Sequence, residues 1–251
     1  MNINYVKPFA LAISLSLSMS NIAQASDLAV TLGETLDTSP TKSSANSIDR
    51  TQLTTAESIE AKSTLMAKLA NLDHFSANFN QEVLSESGEL LEQSSGKLAI
   101  SKPNLANWHT IKPDELAIVS DGQDVWFYDP WIEQVSVYSL SAAIAKTPIL
   151  LLTNKDETLW QQYRVTKGSV TKNIESFVIS AKDINSQIKS LTLIFDTSKE
   201  NGHLKQFSFL DATGQLSHIK LNNFDDQNSP ETSLFKFVVP EGVQVDDQRT
   251  K

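Results

Sequence analysis

The chain has 251 residues, of which 40% are hydrophobic and 20% charged, and its formal net charge is −9. This composition is typical of a soluble globular protein. The acidic excess, without any cluster of Lys and Arg, argues against a nucleic-acid partner. The sequence contains no Cys, which excludes disulfides, a thiolate nucleophile and Cys-ligated metal sites.

Residues 1–25 have the pattern of a secretory signal peptide. Lys7 gives a positive start, an apolar run covers residues 9–17, and Ala-Gln-Ala at 23–25 forms a small-x-small cleavage site. The apolar run is too short to span a bilayer. A mature chain would begin at Ser26, where a bacterial lipoprotein needs Cys, so we expect a soluble exported product without a lipid anchor.

Two segments precede the predicted sheet. Residues 26–54 are mostly polar, with few large apolar side chains, and we expect them to form a disordered leader. Thr54 and Glu57 have the spacing of a capping box, and apolar residues recur at helical spacing from Ile59 to Leu72. This pattern predicts a helix over about residues 55–71.

A change of hydrophobic period from 3.6 to 2 begins at Phe75 and predicts a half-buried strand as far as Val83. Further short strands are predicted at 91–102, 107–112, 115–121, 124–129, 132–138, 160–167, 174–181, 189–196, 203–210, 215–224 and 233–239. Asp121-Gly122 is a hairpin turn between two of them. About a dozen antiparallel strands in one domain, residues 55–251, predict a sandwich or a barrel.

The segment 141–154 separates the two groups of strands. It contains a small-residue turn of helix, then Pro148 at a helix start, then the four aliphatic residues 149–152. Four aliphatic side chains on one short turn cannot all face a single core. We therefore expect these short helices, with the first helix, to cover the open side of a curved sheet above an apolar space.

One hairpin places a cation on an apolar face. Leu98, Ile100 and Lys102 share one face of a strand, because side chains alternate along it. Pro103 interrupts the pairing, and a second strand carrying Trp108 follows the turn. The pattern fits a plain hairpin with a solvated lysine, and it also fits a lysine with a function inside the fold.

Catalytic and metal-binding motifs are missing from the sequence. The four histidines are scattered without metal-ligand spacing. There is no nucleophile elbow, phosphate-binding glycine loop or dinucleotide fingerprint. We therefore expect a binding protein without metal or cofactor rather than an enzyme.

The chain also carries short motifs that are weak singly and specific together. They are Lys-Pro-Asn-Leu-Ala-Asn-Trp-His (102–109), Val-Ser-Asp-Gly (119–122), Val-Trp-Phe-Tyr-Asp-Pro (125–130), Thr-Pro-Ile-Leu-Leu-Leu (147–152), Trp-Gln-Gln-Tyr (160–163) and Pro-Glu-Gly-Val-Gln-Val-Asp-Asp-Gln-Arg (240–249). This set resembles the LolA family of periplasmic outer-membrane lipoprotein carriers. The resemblance runs from about residue 55 to the C-terminus.

The resemblance implies a fold and a function. The fold is an unclosed, strongly curved antiparallel β half-barrel of about 11–12 strands, mainly β with short α, covered by a lid of short helices. The function is that of a periplasmic chaperone, which takes acylated lipoproteins from an inner-membrane ABC-type release complex to an outer-membrane lipoprotein receptor. Exposing three acyl chains to water would cost about 30 kcal/mol, so such a carrier must enclose them.

The resemblance also implies site residues. We expect the acyl-chain cavity and its lid to be formed by Phe79, Leu98, Ile100, Trp108, Ile149, Leu150 and Leu152. Lys102 occupies the place of a family arginine that hydrogen-bonds to the lid and holds the empty cavity shut. Because lysine lacks the rigid planar fork of arginine, we expect a weaker latch or different carbonyl partners. Ala106 stands where the family often has Phe.

A second function remains open at this point. A periplasmic regulator that senses lipid or misfolded protein would use the same half-barrel. A second domain after the barrel would favour that regulator, and this chain ends within about ten residues of its last predicted strand. We therefore expect the carrier.

Overall fold

The computed structural model describes residues 45–144, 146–198 and 202–249. The predicted signal peptide and residues 26–44 of the predicted leader lie outside these ranges. Within them, no helix combines the length and the apolar character that crossing a bilayer requires.

The described chain consists mainly of strands, with one long and two short α-helices. Its α-helices are α1 (Ala45–Ala70), α2 (Leu140–Ile144) and α3 (Glu157–Trp160). Its strands are β1 (His74–Leu84), β2 (Leu90–Ser101), β3 (Leu105–Lys112), β4 (Leu116–Asp121), β5 (Asp124–Asp129), β6 (Gln134–Ser139), β7 (Tyr163–Thr171), β8 (Ile174–Ala181), β9 (Ile188–Asp196), β10 (His203–Asp211), β11 (Leu216–Asp225) and β12 (Gln244–Asp247). Two 3-10 helices cover Pro148–Leu152 and Thr232–Phe235, and we call the first one the aliphatic turn.

All the strands belong to one open, curved sheet in the order β12-β6-β5-β4-β3-β2-β1-β11-β10-β9-β8-β7. Neighbouring strands run antiparallel, except that β12 pairs with β6 in parallel. The sheet has two edges, β7 and β12, and is therefore not a closed barrel. This architecture confirms the predicted unclosed half-barrel, and β12 departs from the expected antiparallel arrangement.

One face of the sheet, which we call the inner face, packs against α1 and the aliphatic turn. Side chains from β1 to β11 join Ala61, Leu65 and Leu69 of α1 in a single buried cluster. The alternation predicted for β1 is confirmed, because Phe75 to Val83 are buried at every second position. Most other predicted strands lie within a few residues of the observed ones.

The C-terminal segment corrects one strand prediction. Residues 233–239 do not form a strand. Residues 233–235 belong to the 3-10 helix Thr232–Phe235, and residues 236–239 continue without regular secondary structure. The segment crosses the outer face of the sheet, where Phe235 is buried and Phe237 lies 6.1 Å from Trp126 and 5.6 Å from Tyr128, between ring centroids. After this crossing the chain forms β12, which pairs with β6. The crossing brings the chain to β6 in the direction that a parallel pairing requires.

The start of one helix and the start of one strand also differ from prediction. Helix α1 begins at Ala45 instead of about residue 55, so residues 45–54, predicted as leader, are helical. Residues 45–70 contain neither Gly nor Pro, and nothing local stops the helix upstream of the predicted capping box. Strand β7 begins at Tyr163 because residues 157–160 form α3, which the Asp156 side chain caps by accepting from the Thr158 N–H at 2.8 Å.

Candidate functional site: an apolar inner face closed by a lid

The inner face is lined by aromatic and aliphatic side chains on adjacent strands. Phe79 of β1 and Trp108 of β3 have ring centroids 4.2 Å apart, and Phe207 of β10 lies 6.1 Å from Trp108. Leu98 is paired with Trp108 across β2 and β3. These side chains form a continuous apolar surface across the middle of the sheet.

Gly96 allows the Phe79 ring to lie against β2. A Cβ atom at this position would stand 2.0 Å from the His109 carbonyl oxygen and 2.8 Å from the Phe79 ring. Contacts this short do not occur for real side chains, so only glycine fits here. The absence of a side chain on β2 therefore brings Phe79 and Trp108 together.

The aliphatic turn is inserted into the fold. Its residues Pro148–Leu152 are all buried, and Leu150 is completely inaccessible to solvent. The Thr153 hydroxyl donates to the Leu150 carbonyl oxygen at 2.8 Å and ends the turn. All four aliphatic side chains are buried in one hydrophobic cluster, so the expectation that they cannot all face a single core was wrong.

The lid side chains occupy the space over the inner face. Ile149, Leu150 and Leu152 belong to the same buried cluster as Phe79, Leu98, Ile100 and Trp108, so the structure brings the seven predicted residues together. A cavity of about 10 Å³ lies beside Leu151, Tyr163 and Ile188, which is room for about one water molecule. Because Ile149, Leu150 and Leu152 are themselves buried over the inner face, the described residues are in a closed conformation, in which the protein's own side chains cover this face.

Lys102 joins the β2–β3 hairpin to α1. Its ammonium donates to the Leu69 carbonyl oxygen in the last turn of α1, and its backbone N–H donates to the Asp73 carbonyl oxygen at 2.8 Å. A cation at a helix C-terminus is favourable, because the last carbonyls have no intrahelical partner and carry the negative end of the dipole. The structure thus places the Lys102 ammonium in contact with the lid helix. Its action as a latch stays a prediction.

The surroundings of Lys102 make its protonated form less favourable than in water. Burial lowers the pKa of the Lys102 ammonium, while the Asp73 carboxylate raises it and Lys155 lowers it further. The hydrogen bond to Leu69 therefore has to offset the desolvation of a half-buried cation.

Asn104 gives the same hairpin a contact with the aliphatic turn, and sequence reasoning missed it. Its N–H donates to the Thr153 carbonyl oxygen at 3.3 Å. Asn104 has a φ of 62°, a left-handed conformation that Asn tolerates, and the Ser120 hydroxyl donates to its carbonyl oxygen at 2.6 Å. An Asn directly after Pro in a turn is a local signal for this left-handed backbone conformation, but it does not identify the Thr153 partner.

Ala106 lies on the inner face opposite Ile100 and is buried. Its partners on the two neighbouring strands are Ile100 of β2 and Ser120 of β4. The smaller side chain therefore lies inside the apolar surface, next to the residues that contact the lid.

A second set of contacts attaches α1 to the β7 edge, and the sequence did not predict it. The Ser58 hydroxyl donates to the Val165 carbonyl oxygen and the Lys62 ammonium to the Trp160 carbonyl oxygen, each at 2.8 Å. Two ion pairs lie nearby, Lys68–Glu175 at 2.9 Å and Lys167–Glu60 at 3.2 Å. The lid helix is thus attached on both sides of the inner face.

Comparison with known proteins decides the family. A family model described as outer membrane lipoprotein carrier protein LolA matches residues 70–238. The outer-membrane lipoprotein carrier protein of Actinobacillus succinogenes is 40% identical over 192 residues, covering 76% of this chain and 88% of that protein. The chain belongs to the LolA family. The matched range includes the Lys102 hairpin, the aliphatic turn and most of the C-terminal crossing segment.

Two further proteins complete the comparison with this LolA-family chain. The outer-membrane lipoprotein carrier protein of Haemophilus influenzae strain Rd is 41% identical over 192 residues, covering 76% of this chain and 89% of that protein. A crystal structure of an uncharacterized conserved protein from Thermus thermophilus aligns with a TM-score of 0.47 at 15% identity, covering 75% of this chain and 99% of that one.

Proposed function

We propose that this protein is a periplasmic carrier that shields the acyl chains of lipoproteins released from the inner membrane and delivers them to the outer membrane. The observation that supports this most is the inner face, which is apolar and is covered by α1 and the aliphatic turn rather than by a second sheet. The names of the relatives in the LolA family point to the same cargo.

Loading requires the lid to move, because the closed conformation is filled by Leu150 and its neighbours. Exposing an acyl chain costs about 0.8 kcal/mol per methylene, so a chain that replaces the lid side chains on the inner face exchanges one apolar contact for another. Such an exchange has a small net free energy, which suits a carrier that has to bind its cargo and release it.

Lys102 is the proposed latch of the empty state. Its hydrogen bond to the Leu69 carbonyl oxygen forms with the lid closed, so it stabilises the empty conformation over the loaded one and favours the release of cargo. Phe79, Leu98, Ile100, Trp108, Ile149, Leu150 and Leu152 are the proposed acyl-chain contacts. The proposed donor is an inner-membrane ABC-type release complex, and the proposed acceptor is an outer-membrane lipoprotein receptor.

The test uses the full chain expressed in a bacterium with an outer membrane. The protein is purified from the soluble periplasmic fraction, and its N-terminus and bound molecules are identified by mass spectrometry. We expect a mature chain that begins at Ser26 and carries triacylated lipoprotein, while an exported protein of unrelated fold purified in parallel carries none. An uncleaved or acylated product, or a chain without bound lipoprotein, would overturn the proposal.

A further inference from the structure

Four buried polar side chains interrupt the apolar inner face at one end. This inner polar cluster consists of Gln81 on β1, Ser94 on β2, Thr110 on β3 and Ser217 on β11, with 2–9% of each residue exposed. Two of them lie directly beside large apolar residues of the inner face, Gln81 beside Phe79 and Thr110 beside Trp108. The strand registers place the cluster beyond the Phe79–Trp108 pair, on the side away from the Lys102 hairpin.

The Gln81 amide lies at the centre of this cluster and is weakly bonded. Its Nε2 donates to the Ser217 hydroxyl at 3.5 Å, and its Oε1 accepts from the Ser94 hydroxyl at 3.4 Å. Typical distances between heavy atoms are about 2.7–3.2 Å for N–H···O bonds and about 2.5–3.0 Å for O–H···O bonds. A primary amide has two N–H donors and a carbonyl acceptor, so this buried amide retains hydrogen-bonding capacity in the closed conformation.

We propose that Gln81, with Ser94 and Ser217, binds the ester or amide carbonyl groups through which the acyl chains are attached to the lipoprotein. This inference rests on the proposed carrier function and adds a binding role that the apolar contacts do not supply. Thr110 already accepts from the Trp108 indole N–H at 3.1 Å, and its part is to fix the Trp108 ring beside the bound group.

The reason is the cost of an unpaired carbonyl. An acyl chain that is enclosed takes its own carbonyl group out of water, and a buried acceptor without a donor is strongly disfavoured. The free N–H of Gln81 and the hydroxyl of Ser217 are donors next to the Phe79 ring, which suits the first methylenes of a chain. The inner face then divides into a polar end for the linkage and an apolar part, from Phe79 to the Lys102 hairpin, for the chain.

This division fixes the depth and direction of the cargo. With the carbonyl groups at Gln81, the chains extend toward Ile100, and the protein part of the cargo leaves the fold near the β1–β2 hairpin at Leu84–Leu90. A carrier built in this way prefers chains attached through carbonyl groups over hydrocarbon of the same length.

The test compares two probes on the purified full chain. One is a triacylated lipopeptide with ester and amide linkages, and the other is an analogue with the same chains attached through ether and amine linkages without carbonyls. We expect Gln81→Met, which keeps the length but removes the amide, to weaken binding of the first probe about 5-fold and to leave the second unchanged. The matched control is Ser208→Ala, a buried polar residue on the opposite face of β10, which should change neither.

The outcomes separate this inference from the function on which it rests. Equal effects of Gln81→Met on the two probes, or no effect on either, would overturn the carbonyl site. The inner polar cluster would then have only a structural role in the sheet. Failure of the unaltered protein to bind both probes would instead overturn the carrier function. If Gln81→Met does not fold, Ser94→Ala replaces it with a smaller change, and the same preferential loss of the carbonyl probe is expected.

Discussion

The lid is attached to the sheet in two regions that differ in construction. On the β7 side, α1 is bound through several side chains, including Ser58, Lys62 and Lys68. On the other side, in the described part of the chain, the β2–β3 hairpin contributes the side-chain bond from Lys102 and backbone bonds from Lys102 and Asn104. Each side-chain contact on the β7 side therefore has other side-chain contacts beside it, whereas the Lys102 side chain, in the described residues of the hairpin, is accompanied by backbone bonds.

This difference predicts where the lid opens. Loss of one bond among several leaves α1 on β7, whereas loss of the Lys102 bond removes the side-chain attachment of the hairpin to the end of α1. We therefore expect the lid to separate first at the hairpin, with the N-terminal part of α1 remaining on the sheet. Opening also has to break the bond by which Asn104 holds the aliphatic turn to the same hairpin.

The largest expected effect comes from Leu150→Glu. Leu150 has no solvent-exposed surface, so the new carboxylate would be buried without a partner against the apolar inner face, at a cost of more than about 3 kcal/mol whether lid side chains or an acyl chain fill that space. We expect the sheet to stay folded by circular dichroism, while binding of lipoprotein and of an apolar dye falls strongly.

Two controls accompany Leu150→Glu. Leu150→Met conserves volume and should cost less than about 1.5 kcal/mol. Ile132→Glu adds the same charge at a residue that is 58% exposed and should leave binding unchanged. Normal cargo binding by Leu150→Glu would mean that the aliphatic turn is ordinary packing.

The next largest effect is expected from Lys102, and it tests the comparison directly. A charged hydrogen bond is worth about 1.5–3 kcal/mol, so Lys102→Leu should shift the balance of loaded and empty carrier toward loaded by about tenfold or more. Delivery should slow while uptake stays intact. Lys102→Arg should speed delivery, because the guanidinium is more weakly hydrated and presents a rigid fork of donors.

The measurement is transfer of lipoprotein from purified carrier to purified receptor. Wild type, Lys102→Leu and Lys102→Arg are compared at equal loading. Equal rates for the three proteins would make Lys102 a structural residue of the hairpin and would remove the proposed difference between the two sides of the lid.

The elements that sequence reasoning predicted are those with local causes. The alternation from Phe75 to Val83 and the turn after Pro103 are encoded within a few residues, so β1 and the hairpin were predicted with nearly correct bounds. Phe235 and Phe237 are spaced in the same way, yet Phe237 lies against Trp126 and Tyr128 on the outer face of β5, and no local signal distinguishes this from a strand.

In the candidate site, too, the features with local causes were predicted and those that depend on distant partners were not. The sequence places Lys102 on an apolar face, which marks it as unusual, and the family resemblance predicts a lid contact. The actual acceptor is the backbone carbonyl of Leu69, a group that every residue carries and that leaves no trace in the sequence. The pairing of Gln81 with Ser94 depends likewise on a strand register that composition does not reveal.

The smallest effect is expected on the β7 side, and it tests whether the two attachments of the lid differ. Lys68 pairs with Glu175 at 2.9 Å, and the two side chains are 20% and 19% exposed, with the Lys68 ammonium also 5.6 Å from the centroid of the Phe195 ring. Partly exposed ion pairs contribute about 0–1 kcal/mol, so Lys68→Met should lower the free energy of unfolding by no more than this and leave the transfer rate near that of wild type.

A double-mutant cycle with Glu175→Gln, measured by chemical unfolding and by lipoprotein transfer, separates the pair from the other contacts of α1. If Lys68→Met changed delivery as much as Lys102→Leu, the lid would open from the β7 side, and the hairpin would not be its release point.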